Sequence, residues 1–445
     1  MLMIYLLPTA KSIAKTLLSR LIYKVRDLFR ARKAKYKLAT IINILIMTLI
    51  LTLGRPPAER LFNPLVTQLT PLTPLTETKN SKEVFGFAPY WNINKLSNID
   101  FKILTTLAYF GVEVDGNGNL VKDDPGYQTF KSSQATSLFK KAHAGGTRVV
   151  LTLTQMRNGP ILALMDSDEA QRNLIEEAVS LVRQRGIDGI NVDLEFAGDP
   201  GDDYRARFSQ FVGNLTNRMH GEVPGSHVTV SVYASAVKDP KIYDIAALGR
   251  VSDGIFMMAY DFAVASSDNA IPTAPLNGHE NGAYWYDIAT AVNDFLKFMP
   301  PEKLILGVPY YGYNYLVYEP TVKAETRPSY SWRGRAASQT YTTVQDKFNS
   351  SSEVVRGWDD NGKVGYIAYY VPEIDTWRMI FMEDTRSLGI KYDFAKEKSL
   401  GGVGIWALGN DEGKKELWTL LEEKFGAKKV ANKNLLMKTV NDIHE

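Results

Sequence analysis

From residue 83 onward, short runs of β-branched and aromatic residues recur, separated by stretches with apolar residues at three- and four-residue spacing. The runs are EVFGFAPYW (83–91), ILTTLAYFGVEV (103–114), TRVVLTLTQ (147–155), DGINVDLEF (188–196), HVTVSVYAS (227–235), VSDGIFMMAYD (251–261), KLILGVPYYGY (303–313) and GGVGIWALG (401–409). EAQRNLIEEAVSLVRQRG and YRARFSQFVGNLTNRM are typical of the amphipathic stretches between them. Eight strands alternating with helices predict an α/β protein, a (β/α)8 TIM barrel. A doubly wound open sheet would usually carry a Gly-rich phosphate loop after its first strand, and none follows EVFGFAPYW.

The gap between the seventh and eighth runs is longer than one helix requires. SYSWRGRAASQTYTTVQDKF and VVRGWDDNGKVGYIAYYV predict a small α+β insertion at about 314–375, made of a helix and a hairpin turning at Asp360, Asn361 and Gly362. A last helix is expected around Asp384 to Lys396. The barrel is expected over 83–426, and residues 427–445 read as a polar tail.

A different pattern precedes the barrel. Residues 1–37 hold ten Lys or Arg and one acid, Asp27, and run into LATIINILIMTLILTL, Leu38 to Leu53, which has no charge. Although shorter than the roughly 20 residues that span a bilayer comfortably, an apolar run beside a basic cluster fits the positive-inside rule. The expectation is a cytoplasmic basic tail (1–37), a transmembrane signal anchor (38–53), a Pro/Thr-rich linker (54–82) and an extracytoplasmic barrel. A cleaved signal peptide and a secreted product form the other reading; the long basic n-region and the lack of a small-x-small site after Leu53 favour the anchor. Taking residues 1–37 from the chain's 52 Lys and Arg and 49 Asp and Glu leaves 42 and 48, so the rest is mildly acidic and argues against nucleic acid as a partner. The chain has no cysteine, and its five histidines show no ligand spacing, so no metal site is expected.

Candidate chemistry sits on the fourth run. On a strand, Asn191, Asp193 and Glu195 share one face, and Ile190, Val192, Leu194 and Phe196 share the other. In a barrel the polar row faces the lumen, with Glu195 nearest the C-terminal mouth, where this architecture keeps its chemistry. Burying two carboxylates costs several kcal/mol unless they are paired or hydrogen-bonded. A satisfied polar network without chemistry is the competing account of the row.

DGINVDLE resembles the fourth-strand D-x-x-D-x-D-x-E signature of glycoside hydrolase family 18, the chitinases and related N-acetylglucosaminidases. MMAYD (257–261) is similar to the family's sixth-strand M-x-Y-D, LGVPYYGY (306–313) to its seventh-strand G-x-P-x-Y-G, and GGVGIWALG to its eighth-strand segment with a Trp. PPEKLILGVPYYGY and MEDTRSLGIKYDFAKEKSLGGVGIWALG look like the envelope and spore-associated branch that acts on peptidoglycan.

The resemblance implies a monomeric, cofactor-free glycosidase acting on a β-1,4-linked N-acetylglucosamine polymer, chitin or peptidoglycan, with the substrate's own 2-acetamido group as nucleophile. Glu195 would be the general acid/base, Asp193 would hold the acetamido N–H, Tyr260 would donate to its carbonyl oxygen and Asp261 would contact sugar hydroxyls. Met258 and Trp406 would floor the subsite of the reacting sugar. Tyr90, Trp91 and Tyr311, at strand ends, are the expected sugar contacts among the cleft aromatics; Trp285, Tyr310, Tyr313, Trp332 and Trp358 are as compatible with packing the insertion. Asn191 stands where the family usually carries Asp, and is expected to donate a hydrogen bond to Asp193 and keep it ionised. A catalytically weak or inactive glycan-binding barrel is the alternative function, with Asn191 as its only visible defect. Endo or exo action is not fixed by these motifs.

Overall fold

The structure is a computed structural model that describes residues 82–329, 334–348 and 354–426. The tail of residues 1–37, the anchor of 38–53, all but the last residue of the linker, the polar tail and Trp332 lie outside the described residues. Among the described residues no helix is long and apolar enough to cross a membrane.

Eight strands close into a barrel: β1 (Glu83–Pro89), β2 (Thr106–Glu113), β3 (Arg148–Gln155), β4 (Gly189–Leu194), β5 (His227–Tyr233), β6 (Gly254–Met258), β7 (Leu304–Pro309) and β13 (Gly402–Trp406), in the order β1-β13-β7-β6-β5-β4-β3-β2. Every neighbouring pair is parallel. These are the eight expected strands, with helices between them. Parallel strands buried on both faces need crossover helices, and the amphipathic stretches supply them. EAQRNLIEEAVSLVRQR becomes the core of α4 (Asp168–Arg185), capped by Ser167 and ended by Gly186 in the left-handed region at φ +61. YRARFSQFVGNLTNRM lies within α5 (Asp202–Glu222).

Alternation divides the buried residues in two. Outward residues such as Val149, Leu151, Ile190 and Val192 pack against the helices in the main core. Phe85, Phe87, Ala108, Val150, Phe256, Met258 and Ile305 form a separate cluster inside the barrel. Phe256 fills the lumen so tightly that a Cβ on Gly404 would come within 2.1 Å of its ring, so β13 can pass there only as glycine.

After β7 the chain leaves the barrel for an antiparallel sheet of five strands, β8 (Tyr311–Val317), β9 (Ala337–Thr340), β10 (Val355–Asp359), β11 (Val364–Val371) and β12 (Thr376–Met382), ordered β10-β11-β12-β8-β9. The helix α8 (Tyr341–Phe348) accompanies it. The insertion is thus larger than the 314–375 read from the sequence. Its first strand begins two residues beyond β7, so KLILGVPYYGY is two strands of two different sheets. The β10–β11 turn falls at 360–363, where the Asp359 carboxylate accepts from the Asn361 and Gly362 amides at 3.0 and 2.9 Å. The last predicted helix is α9 (Thr385–Glu397), with Asp384 closing a reciprocal capping box with Ser387.

A polar cluster closes the N-terminal end of the lumen. Thr106 donates to Glu83 at 2.5 Å, and His227 and Arg148 lie 3.4 and 3.7 Å from its carboxylate. Burial would raise the Glu83 carboxyl, but His227, Arg148 and Thr106 together bring it down to about 2. A depressed folded-state value means that this contribution to stability is complete above the unfolded value of about 4.3 and is lost as pH falls through 2. Glu83→Gln is therefore expected to lower stability by about 2 kcal/mol at pH 7. Denaturant melts at stepped pH values should show the gap between variant and wild type closing between about pH 4 and 2.

Candidate active site

The polar row of β4 is fixed by its neighbours on both sides. Asn191 pairs with Thr152 on β3 and with Thr229 on β5, and Asp193 pairs with Thr154 on β3. Glu195 lies one residue past the strand, yet its amide still donates to the Gln155 carbonyl at 2.9 Å. The backbone under the last carboxylate therefore keeps strand geometry, and the parity read from the sequence extends to the barrel mouth.

The three side chains meet three different environments. Asn191 is fully buried; its amide donates to Thr229 Oγ1 at 2.9 Å, and its carbonyl oxygen accepts from the Ser231 hydroxyl at 3.1 Å. It does not donate to Asp193, contrary to the sequence expectation, because the hydroxyls of β5 lie directly across from it and take both ends of the amide. Asp193 is 3% exposed, and its Oδ1 has no hydrogen-bond partner among the described residues. Burial first, and the Glu195 charge second, push its carboxyl well above the usual carboxylate range. The expectation that Asn191 keeps Asp193 ionised is corrected accordingly. Glu195 accepts a hydrogen bond from the Tyr233 hydroxyl at 2.5 Å. Its carboxyl is also raised: burial dominates, the Tyr233 bond opposes it and the Asp261 charge adds to it.

Asp193 and Glu195 open on a cavity of about 150 Å³, whose other walls include Tyr233, Met258, Tyr260 and Asp261, with Trp406 and Phe87 beneath. Trp406, the last residue of β13, stands edge-on to Phe87 and Phe110, with ring centroids 5.4 and 4.7 Å apart. Tyr260 is half-buried near three carboxylates, and its hydroxyl stays protonated far above its ordinary range, through desolvation first and then Asp193, Asp261 and Glu195. Asp261 sits in the left-handed region at φ +59. Its Oδ1 accepts from Tyr311 at 2.5 Å, Tyr313 at 3.0 Å and Thr273 at 3.1 Å.

Other candidates fall outside the cavity. Tyr311, an expected sugar contact, is 6% exposed, and its hydroxyl donates to Asp261. Tyr90 and Trp91 follow β1 and contact each other edge-on at 4.9 Å; Trp91 is 53% exposed and meets Trp406 at 6.5 Å, which continues the aromatic wall outward. Tyr310 is buried beside Tyr392, Trp358 lies in the insertion beneath the Arg386 guanidinium, and Trp285 is half exposed with its indole N–H on the Phe262 carbonyl. Asp188, first acid of the fourth-strand pattern, is at the opposite end of β4, 2.6 Å from His143 Nε2 and accepting from the Val149 amide at 2.8 Å. Its place is structural.

Sequence reasoning did not single out Tyr233, Ser231 or Thr229. The signal was present, because His227, Thr229, Ser231 and Tyr233 alternate on β5 as Asn191, Asp193 and Glu195 do on β4.

The family model Glycosyl hydrolases family 18 matches residues 83–411. The chain is 28% identical over 313 residues to the di-N-acetylchitobiase of Rattus norvegicus, covering 64% of this chain and 79% of that protein. It is 23% identical over 337 residues to the cortical fragment-lytic enzyme of Bacillus subtilis (strain 168), covering 73% of this chain and 69% of the relative. In fold it is similar to the Ostrinia furnacalis Group IV chitinase crystallised with allosamidin, at a TM-score of 0.67 and 21% identity over 77% of this chain and 97% of that one. A match that spans the whole barrel and takes in the carboxylates of β4 places the chain in glycosyl hydrolases family 18, as a glycosidase.

Proposed function

We propose that the protein hydrolyses β-1,4-linked N-acetylglucosamine polymers with retention of configuration, using the substrate's 2-acetamido group as nucleophile. The observation that carries this reading is Asp193: a carboxyl buried beside the acid, whose Oδ1 has no hydrogen-bond partner among the described residues. Asp261, the other carboxyl of the cavity, has three donors on one oxygen, which fits a sugar-binding group better than an attacking one.

With an N-acetylglucosamine ring above Trp406, Asp193 accepts the acetamido N–H and Tyr260 donates to its carbonyl oxygen. That oxygen attacks C1 while the protonated Glu195 gives its proton to the glycosidic oxygen, and the C1–O bond breaks as the C1–O(acetamido) bond forms. The positive charge of the resulting oxazolinium ring favours the ionised form of Asp193 beside it, and that carboxylate offsets the charge inside a site of low polarity. Glu195, now ionised, takes a proton from water as the water attacks C1 from the face the leaving group has left, and the C1–O(acetamido) bond breaks to restore the acetamido group. The raised Glu195 carboxyl suits this cycle, because the resting group must hold a proton near neutral pH.

The substrate class includes chitin and peptidoglycan, since both offer the 2-acetamido sugar that the chemistry needs. The apolar stretch Leu38–Leu53 beside its basic cluster supports a barrel tethered on the extracytoplasmic side. A binding-only barrel finds no support at Asn191, whose amide is bonded at both its nitrogen and its oxygen to β5 below the reacting groups.

Product analysis on chitooligosaccharides and on purified peptidoglycan tests the activity. Glu195→Gln is expected to reduce kcat at least about 100-fold, and release of sugar by this variant at the wild-type rate would remove Glu195 from its role. Asp193→Asn is expected to lose activity while gaining stability. The folded-state carboxyl is raised, so between the unfolded value of about 3.9 and its own value the native chain holds the extra proton, and stability falls as pH rises. The variant's melting temperature should exceed the wild type's at pH 7 and converge with it below about pH 4. Asn191→Asp adds a third carboxyl to the row; a pH–rate profile altered on at least one limb is expected, with lower stability at pH 7 than wild type. Two unchanged limbs would separate position 191 from the catalytic cycle.

A further inference from the structure

Glu195 is the last of the β4 row and lies past the paired strand, where nothing of β4 itself restrains its side chain. From below it receives no support. Asp193 presents an acceptor with no donor attached, and Asn191, the next donor down, has its amide committed to Thr229. The side-chain hydrogen bond that reaches Glu195 among the described residues comes from the adjacent strand, from Tyr233.

Tyr233 is itself held from several directions. It ends β5, three residues beyond the last β4–β5 pair, Val192 with Val230, and its hydroxyl reaches Glu195 there. Its ring meets Tyr243 edge-on at 6.0 Å, and Tyr243 donates to the Leu194 carbonyl at 3.0 Å, the residue immediately before Glu195. On another side the Lys241 ammonium lies 5.3 Å from the centre of the Tyr233 ring and pairs with Asp239 at 3.0 Å. Tyr243 thus ties the ring of Tyr233 to the backbone that carries the acid.

We propose that Tyr233 is a positioning residue for the general acid: its hydroxyl occupies Glu195 Oε2 and thereby fixes Oε1 as the oxygen that faces the glycosidic bond. This rests on the glycosidase mechanism above and adds to it a residue on β5. Tyr233 keeps its own proton throughout; it donates to the carboxylate while Glu195 awaits water, and the bond weakens when Glu195 is protonated. The titratable and charged groups around Glu195 are Asp193 on β4, Tyr233 on β5, Tyr243 and Lys241 after β5, and Tyr260 and Asp261 after β6. Of these, Tyr233 is the one that donates to the carboxylate. A bond to the charged form favours that form, so its removal must raise the carboxyl further.

Tyr233→Phe tests this, because Phe keeps the ring against Tyr243 and Lys241 and removes only the donor. The expected result is a fall in kcat of about 10- to 100-fold with little change in KM, and a basic limb of kcat/KM moved up by about 1 pH unit. Carbon-13 NMR titration of the carboxyl groups, with Glu195 assigned by its loss in Glu195→Gln, should show the same upward movement without needing substrate. Should the Phe variant fold poorly, 3,5-difluorotyrosine at position 233, a stronger donor, is expected to move the Glu195 titration the opposite way. An unchanged Glu195 titration, or a change confined to KM, would overturn the proposal. Wild-type protein that cleaves neither polymer would instead overturn the functional reading, and the NMR titration would still decide the part of Tyr233.

Discussion

Two carboxyl groups two residues apart on a buried strand repel each other in a medium that screens charge poorly, and both cannot stay ionised there. The barrel turns this cost into function by closing around them. A closed parallel sheet has no edge through which water or an alternative partner could relieve Asp193, so its carboxyl is driven toward the protonated form by burial and by Glu195. Glu195, nearer the mouth and bonded to Tyr233, is driven in the same direction against one opposing bond. In the proposed mechanism this pair supplies a proton from Glu195 and, at Asp193, an acceptor for an N–H.

The lumen is layered in support of that pair. At the N-terminal end Glu83 gathers Arg148, His227 and Thr106 into a paired cluster. Above it the rings of Phe85, Phe87 and Phe256 pack with centroids about 5 Å apart, which excludes water from the middle of the barrel. Beside that plug the β4–β5 wall supplies amide and hydroxyl groups that bond to one another below the carboxylates. Polarity therefore changes from paired charge to apolar ring to neutral hydrogen bond before it reaches the reacting groups.

What was legible in the sequence was what depends on one element at a time. Strand alternation gave the inward row, periodicity gave the crossover helices, and Asp-Asn-Gly gave the β10–β11 turn, because each signal is local. The partners of Asn191 were not legible, since they depend on which β5 residue lies across from it, and register is a property of two strands. Tyr233 escaped for the same reason: a lone tyrosine ending a strand looks like core until the neighbouring carboxylate is placed. The insertion was underestimated because β7 and β8 are separated only by Tyr310, and continuous apolar character conceals a change of sheet.

That change of sheet explains why the insertion belongs to the site. Tyr311 and Tyr313 stand two residues apart on β8, on the same face, and both hydroxyls reach Asp261 Oδ1. Asp261 is in the left-handed region, a conformation that costs a non-glycine residue about 1 kcal/mol or more unless its surroundings hold it there. The tyrosines and Thr273, which donates to the carboxylate and accepts from the Asp261 amide at 3.1 Å, provide that hold. One oxygen of Asp261 is thereby engaged by three protein donors. The five-stranded sheet thus meets the cavity through Asp261, one of its lining residues, and under the proposed function a displacement of β8 would be felt first at this carboxylate.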